Sequence, residues 1–277
     1  MSTTMQEART TTTANAHPPV VTQSRVIASE WIKLRSLRST FWSFFAAAGI
    51  VIGLGLLFSL VREQNWNQMS QVDKALFDPT QTSLRGTYLA QLAIGVLGVL
   101  AVTGEYSTGM IRATLSAVPR RLPVLWGKLV VFAAAVFVVM GVSSLIAFEA
   151  GQAIMGSTHH QASLSTPGAL RAVIGGALFL TVICVLGIGL GFLLRSTAGA
   201  IATLFGLILV LPILVEALPS PWPQDITKFL PLGAGTVLMN TVKDPTMLSP
   251  WAGFGVFCLY AVAAIAAGAA MLKRRDA

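Results

Sequence analysis

Six long stretches of this 277-residue chain contain no Asp, Glu, Lys or Arg. Each is long enough to cross a hydrocarbon core of about 30 Å as a helix, which takes about 20 residues, whereas barrel strands are shorter and alternate in polarity. The sequence therefore predicts an all-α integral membrane protein whose transmembrane domain, residues 41–272, has six transmembrane helices. The predicted spans are residues 41–61, 87–104, 129–148, 172–194, 197–215 and 251–272.

Charge is too scarce in this chain for a water-soluble fold. Charged residues make up 11% of the sequence, against roughly 25% in soluble domains. Of the 19 Lys and Arg, 13 fall on the side of the two termini and six on the other. The positive-inside rule then predicts a multi-pass protein of the cell membrane with cytoplasmic termini. The same asymmetry accounts for the net charge of +8, so no nucleic-acid partner is expected. The two ends, residues 1–21 and 273–277, are predicted to be a disordered tail and a short basic tail.

The segment before the first span, residues 22–40, differs from an ordinary lead-in. It carries a broad apolar arc on a helical wheel, which Glu30 interrupts, while Lys33 and Arg35 lie outside the arc. This pattern predicts an amphipathic interfacial helix with Trp31 at the level of the lipid headgroups. A solvated, merely basic lead-in is the alternative.

The segment between the second and third spans, residues 105–121, has more pattern than a simple turn. On a helical wheel, four of its residues share one stripe: Glu105, Gly109, Arg112 and Ser116. An apolar stripe lies about a quarter turn away and comprises Ile111, Leu115 and Val118. Such a helix can rest its apolar side on the membrane face and offer its polar side to a soluble partner. A linker whose charges are merely solvated is the alternative.

Two pairs of glycines spaced four residues apart lie within the predicted spans. Gly49 and Gly53 belong to the first span, and Gly187 and Gly191 belong to the fourth. Within a membrane, such pairs let helix backbones approach closely. We therefore expect both pairs to mark faces for helix packing.

The segment from 216 to 250 carries six prolines around a semi-apolar core, residues 226–239. This core is too short and too broken by Gly and Pro to span the membrane. Two interpretations remain open: a re-entrant element whose backbone is covered by protein, and an ordinary surface loop.

Motifs for catalysis are missing from the sequence. It has neither a GxSxG elbow nor an HExxH zinc pair. Gly127-Lys128 resembles the end of a phosphate-binding loop, but the earlier glycine would fall at Leu122 and no Ser or Thr follows. Cys184 and Cys258 both lie in the middle of predicted spans, where we expect packing residues. The chain is therefore not expected to be an enzyme, to bind ATP itself, or to hold a cofactor or a metal.

Two motifs together resemble those of a known family. Ser29-Glu30-Trp31-Ile32-Lys33-Leu34-Arg35-Ser36 stands before the first span, and Gly104-Glu105-Tyr106-x-x-Gly109 follows the second. Further residues stand at the family's spacing: Arg112, Leu115, Pro119 and Lys128. From about residue 24 to 275, the chain is similar to the six-span permease subunits of type-2 ATP-binding-cassette (ABC) exporters, especially those of high-GC Gram-positive bacteria. Met110 departs from the pattern, because many members have Thr there.

The resemblance implies a division of labour between subunits. The loop 105–121 would be a coupling helix that docks on a separate ABC ATPase subunit. The coupling residues would be Glu105, Gly109, Arg112, Ser116 and Pro119. The helix that carries Glu30, Trp31, Lys33 and Arg35 would lie along the membrane. The permease would form the translocation path as a dimer, with a second copy or a paralogue. An ATP-independent secondary transporter or channel is the alternative, and the sequence leaves the cargo open.

The predicted orientation can be tested by thiol labelling. In a background in which Cys184 and Cys258 are replaced, a cysteine at Asp73 should react with an impermeant reagent added to intact cells. A cysteine at Ser116 should react only after lysis, because the two positions lie on opposite predicted sides of the membrane. Labelling of Ser116→Cys in intact cells would overturn the orientation.

Overall fold

The computed structural model of the protein describes residues 22–156 and 161–274. Within these ranges every regular element is a helix. The tail expected at residues 1–21 lies outside the described residues, as do residues 275–277 of the expected basic tail.

The α-helices of the described ranges are, in chain order, α1 (Gln23–Ser36), α2 (Arg38–Gln64), α3 (Gln71–Ala75), α4 (Pro79–Ser83), α5 (Thr87–Ser107), α6 (Met110–Ala117), α7 (Leu122–Met155), α8 (Ala169–Leu194), α9 (Thr197–Phe205), α10 (Leu211–Glu216), α11 (Trp222–Thr227), α12 (Pro231–Thr236) and α13 (Pro250–Arg274). A π-helical turn, Gly206–Val210, joins α9 to α10 into one long helix, Thr197–Glu216. Short 3₁₀ turns occupy Trp66–Gln68 and Val237–Met239.

Six of these helices are long and apolar enough to cross a bilayer: α2, α5, α7, α8, Thr197–Glu216 and α13. This confirms the predicted all-α membrane fold. The helices extend beyond the charge-free stretches from which the spans were predicted. The largest difference is in α7, which begins at Leu122 and ends at Met155, because Lys128 and Glu149 lie within the helix rather than at its ends.

The central helix of the bundle is α8. Within its most apolar stretch 67% of the residues are buried, against 22% to 28% in α2, Thr197–Glu216 and α13. Close approach to α5 depends on glycine. A Cβ atom at Gly187 would lie 2.6 Å from the carbonyl oxygen of Gly95, and one at Gly191 would lie 3.0 Å from the Cβ atom of Val102. Because α2, Thr197–Glu216 and α13 are mostly unburied, these peripheral helices leave apolar surface for lipid or for another chain.

One end of the bundle, called the α1 face below, carries α1, α6 and the last turn of α13. Two arginines satisfy backbone carbonyls of α13 at this end. Arg121 donates a hydrogen bond to the carbonyl of Leu272 at 3.2 Å, and Arg195 donates one to that of Met271 at 3.1 Å. These bonds fix the end of α13, whose last carbonyls have no partner within the helix.

The opposite end carries α3, α4, α11 and α12. Here the buried Asp78 accepts backbone hydrogen bonds from Gln81 at 2.9 Å and from Thr241 at 2.8 Å. The Gln81 side chain donates to the Asn240 side chain at 2.6 Å. These contacts tie the loop after α2 to the segment after α12.

The segment between Glu216 and Pro250 packs partly inside the bundle. Gly235 of α12 has no room for a side chain, because a Cβ atom there would lie 2.8 Å from the ring of Phe179 and 2.9 Å from that of Phe257. Those two rings stack on each other with centroids 5.3 Å apart. The short helix α12 is therefore wedged between α8 and α13, which distinguishes it from a surface loop.

Candidate functional site

Four charged side chains from three helices meet beside α6 on the α1 face. Glu30 and Lys33 come from α1, Glu105 comes from the end of α5, and Lys128 comes from the second turn of α7. Glu30 is 1% exposed and Lys128 is 2% exposed. We call these four residues the charge quartet.

The quartet forms a closed ring in which positive and negative groups alternate. The Lys128 ammonium (Nζ) donates hydrogen bonds to Glu30 Oε2 at 2.8 Å and to Glu105 Oε1 at 2.7 Å. The Lys33 ammonium donates to Glu30 Oε1 at 2.7 Å and to Glu105 Oε1 at 2.9 Å. Two carboxylates and two ammonium groups leave the ring without net charge.

Alternation of charge is what makes this burial tolerable. An unpaired ion in a protein interior costs several kcal/mol, and a buried pair recovers that cost only with good geometry. Burial alone would lower the pKa of Lys33, but hydrogen bonds and charge interactions with Glu30 and Glu105 outweigh it and raise the pKa. The contribution of Lys33 to stability is therefore complete below the ordinary pKa of 10.5 and is lost as the pH rises through the raised value. At neutral pH this lysine is charged.

Helix α1 reaches the quartet because one of its faces packs on α7. Residues 26, 30 and 33 lie on one side of a helix. Val26 is buried against Gly127, where a Cβ atom would lie 2.9 Å from the Val26 side chain. The Gln23 side chain donates to the carbonyl of Pro123 at 3.1 Å. The glycine at 127 thus lets α1 approach closely enough for Glu30 to bond Lys128.

Helix α6 is separated from α5 by a turn at Gly109. This glycine has a φ of +72°, a left-handed conformation that favours glycine. The apolar side of α6 is buried in the core through Ile111 at 2% and Leu115 at 8% exposure. The Lys33 ammonium also lies 3.5 Å from the Thr114 hydroxyl, which connects the quartet to α6.

These contacts correct two features of the predicted 105–121 helix. Glu105 does not share an exposed stripe with Arg112 and Ser116, because α5 ends at Ser107 and the Gly109 turn reorients the chain. Its carboxylate faces Lys33 and Lys128 inside the protein. The apolar stripe packs on the protein core rather than on the membrane face. Four of the five predicted coupling residues are exposed: Gly109, Arg112, Ser116 and Pro119.

The other predicted site residues lie outside the quartet. Trp31 is 44% exposed and Arg35 is exposed, both on sides of α1 that face away from the quartet. Gly187 and Gly191 lie where α8 packs on α5. Gly49 and Gly53 lie on an open face of α2, with no atom within 4 Å of a Cβ atom built there.

The convergence of the four quartet residues was not predicted from the sequence. One signal was present, since Glu30 interrupts the apolar arc of α1 and a charge on an apolar face calls for a buried partner. A second was Lys128, which follows the glycine on which α1 packs. Among the described residues, no group of three or more His, Cys, Asp or Glu side chains could hold a metal ion.

The fold and this arrangement define a multi-pass helical membrane protein with a short helix at one end of its bundle, one side of which is buried and the other exposed. The sequence profile of the ABC-2 family transporter proteins matches residues 63–277. The chain belongs to that family and is an ABC-type membrane permease. A search of curated proteins found no match.

Removal of one quartet member should destabilise the protein far more than removal of one partner of an exposed ion pair. Lys128→Met leaves Glu30 and Glu105 with too little compensating charge, and breaking a buried pair in this way typically costs about 3–5 kcal/mol. We expect a clear drop in the thermal unfolding midpoint of the detergent-purified protein.

The matched control is Lys228→Met. Lys228 bonds Asp225 at 3.1 Å, with the Asp225 side chain 69% exposed, and such surface pairs contribute about 0–1 kcal/mol. Equal unfolding midpoints for the two variants would contradict a structural role for the quartet.

Proposed function

We propose that this permease couples to a separate ABC ATPase subunit through the exposed side of α6. The observation that carries the proposal is the two-sided environment of this helix. Its apolar side is buried in the core, while Arg112, Ser116 and the following Pro119 are exposed. A short helix anchored from behind in this way offers a rigid polar surface to a soluble partner.

The charge quartet supports the proposal, because it connects α6 to the spans. Lys33 approaches Thr114 of α6 and bonds Glu105 of α5. Lys128 belongs to α7, the span that follows α6. A force on α6 therefore reaches α1, α5 and α7 through contacts that are costly to break. In this scheme Glu105 positions α6, and the contact with the ATPase is made by Gly109, Arg112, Ser116 and Pro119.

The coupling task is a shift of population between permease states. A partner that binds α6 better in one arrangement of the spans favours that arrangement by the difference in its binding free energies. The buried attachment of α6 supports such a mechanism, because a freely moving linker would bind equally well in both states and would shift nothing.

The translocation path is proposed to form between two permeases, identical or paralogous, in the cell membrane with cytoplasmic termini. Open apolar surface on the peripheral helices supports this part. In α2, the exposed pair Gly49 and Gly53 is suited to close contact with a helix of another chain. The alternative of an ATP-independent transporter gains no support from the quartet, because its members lie near the ends of α5 and α7 rather than at mid-membrane.

Charge reversal on the exposed side of α6 should uncouple the ATPase without unfolding the permease. We expect Arg112→Glu to weaken association with the co-expressed ATPase subunit. Disrupting a desolvated charge contact costs about 2–5 kcal/mol, which is roughly 30-fold or more in affinity. The measurements are ATPase pull-down and ATP hydrolysis in membranes that hold equal amounts of permease.

Arg274→Glu is the matched control, because Arg274 is an exposed cation on the same face at the end of α13. It should leave association unchanged, and both variants should keep the wild-type unfolding midpoint. Glu105→Lys is a poorer test, because it would also break the quartet. Full association and hydrolysis with Arg112→Glu would show that α6 is only a linker.

A further inference from the structure

A groove on the membrane side of α1 lies between α1, α2 and α7. It has a volume of about 490 Å³, within the range of roughly 300 to 1,000 Å³ typical of ligand pockets. Its walls, all formed by described residues, present no polar surface. The side chains that form the walls include Trp31 and Leu34 of α1, Phe41 and Phe45 of α2, and Ala135 and Val139 of α7.

The groove walls carry large aromatic surfaces that the chain itself leaves uncovered. Phe41 is 66% exposed and Phe45 is 63% exposed. Both lie near the start of a membrane-spanning helix. Contact with a hydrocarbon chain is favourable for such apolar rings, whereas contact with water is not. The groove therefore suits an acyl chain better than any polar ligand.

Cations mark the end of the groove at which α1 meets α2. Arg38 lies one helical turn before Phe41 on the same side of α2, and Arg35 lies one turn after Trp31 in α1. Both arginines are exposed. Trp31 lies beside them at the edge of the groove, the position that Trp favours at the interface of a bilayer.

The described acidic residues of the α1 face cannot neutralise these arginines. The only described acidic residues at this face are Glu30 and Glu105, and both are buried in the charge quartet. Among its described residues, a second copy of this chain would therefore present cations, and no free carboxylate, beside these arginines. An anionic lipid headgroup carries a charge that complements these two arginines.

We propose that this groove is a binding site for one anionic phospholipid of the leaflet on the α1 side. An acyl chain fills the groove, and the phosphate accepts hydrogen bonds from Arg35 and Arg38. Guanidinium groups suit phosphate because their donors match its oxygens in pairs. The apolar groove holds any acyl chain, so the arginines set the preference for headgroup charge.

Photo-crosslinking in nanodiscs tests the site directly. The full-length chain is reconstituted in phosphatidylcholine with a small fraction of phosphatidylglycerol that carries a diazirine on one acyl chain. We expect crosslinked peptides from residues 41–48 of α2 and 134–139 of α7. Unlabelled phosphatidylglycerol should compete for this labelling, and phosphatidylcholine with the same acyl chains should not.

Two variants separate the headgroup contact from the acyl-chain contact. Arg35→Gln/Arg38→Gln should lower groove labelling roughly tenfold or more, since each cation close to an anionic headgroup adds to the affinity for that lipid. The control Lys273→Gln/Arg274→Gln removes two cations from the same face and should leave labelling unchanged. Ala135→Phe, which fills the groove, should also abolish labelling, whereas Ala263→Phe on an exposed side of α13 should not.

The wild-type experiment is decisive even if a variant fails to fold. Equal labelling of α13 and the groove, or equal competition by both lipids, would show that ordinary solvating lipid covers this surface and would overturn the proposal. No labelling of the groove by the lipid probe would also overturn it, because lipid would then be excluded from the groove, as it would be by a second copy seated there. None of these outcomes depends on the ATPase.

Discussion

The buried ring of Glu30, Lys33, Glu105 and Lys128 is the constraint on which the α1 face depends. Each carboxylate bonds both lysines, and three of the four ion pairs join different helices among α1, α5 and α7. Moving α5 or α7 away would leave a net charge in a low-dielectric interior, and moving α1 away would break the bonds from Lys33 to Glu105 and from Glu30 to Lys128. The ring thereby fixes the surface on which α6 rests, and it holds α1 where it forms one wall of the apolar groove.

Local sequence patterns predicted the parts of the fold that depend on nearby residues. Charge-free stretches located the spans, and the apolar arc of α1 predicted its helix. Local patterns could not predict the pairing of the quartet, since Glu105 is 72 residues from its partner Lys33 and Glu30 is 98 residues from its partner Lys128. The wheel drawn through residues 105–121 assumed one continuous helix, which the positive φ of Gly109 interrupts. The short helix α12 was ambiguous for a similar reason, because its burial depends on the distant rings of Phe179 and Phe257.

Two sides of helix α1 make different contacts, and this difference explains its amphipathic sequence pattern. One side, with Val26 and Glu30, packs on α7 and joins the ring. The other side, with Trp31 and Leu34, faces the groove. A shift of α6 that strains the ring would therefore also move a wall of the groove. The proposed coupling and the proposed lipid contact thus involve the same helix, one through charged side chains and the other through apolar side chains.

We propose that the exposed side of α6 contacts an ATPase subunit. The most direct measurement attaches a benzophenone to a single cysteine at Ser116, with Cys184 and Cys258 replaced, and irradiates membranes that contain the co-expressed ATPase. We expect an adduct between the permease and the ATPase at Ser116, and none from a cysteine at the exposed Ser163 near the opposite end of the bundle. No adduct at Ser116 in a complex that still hydrolyses ATP and co-purifies, or equal adducts at both positions, would contradict it.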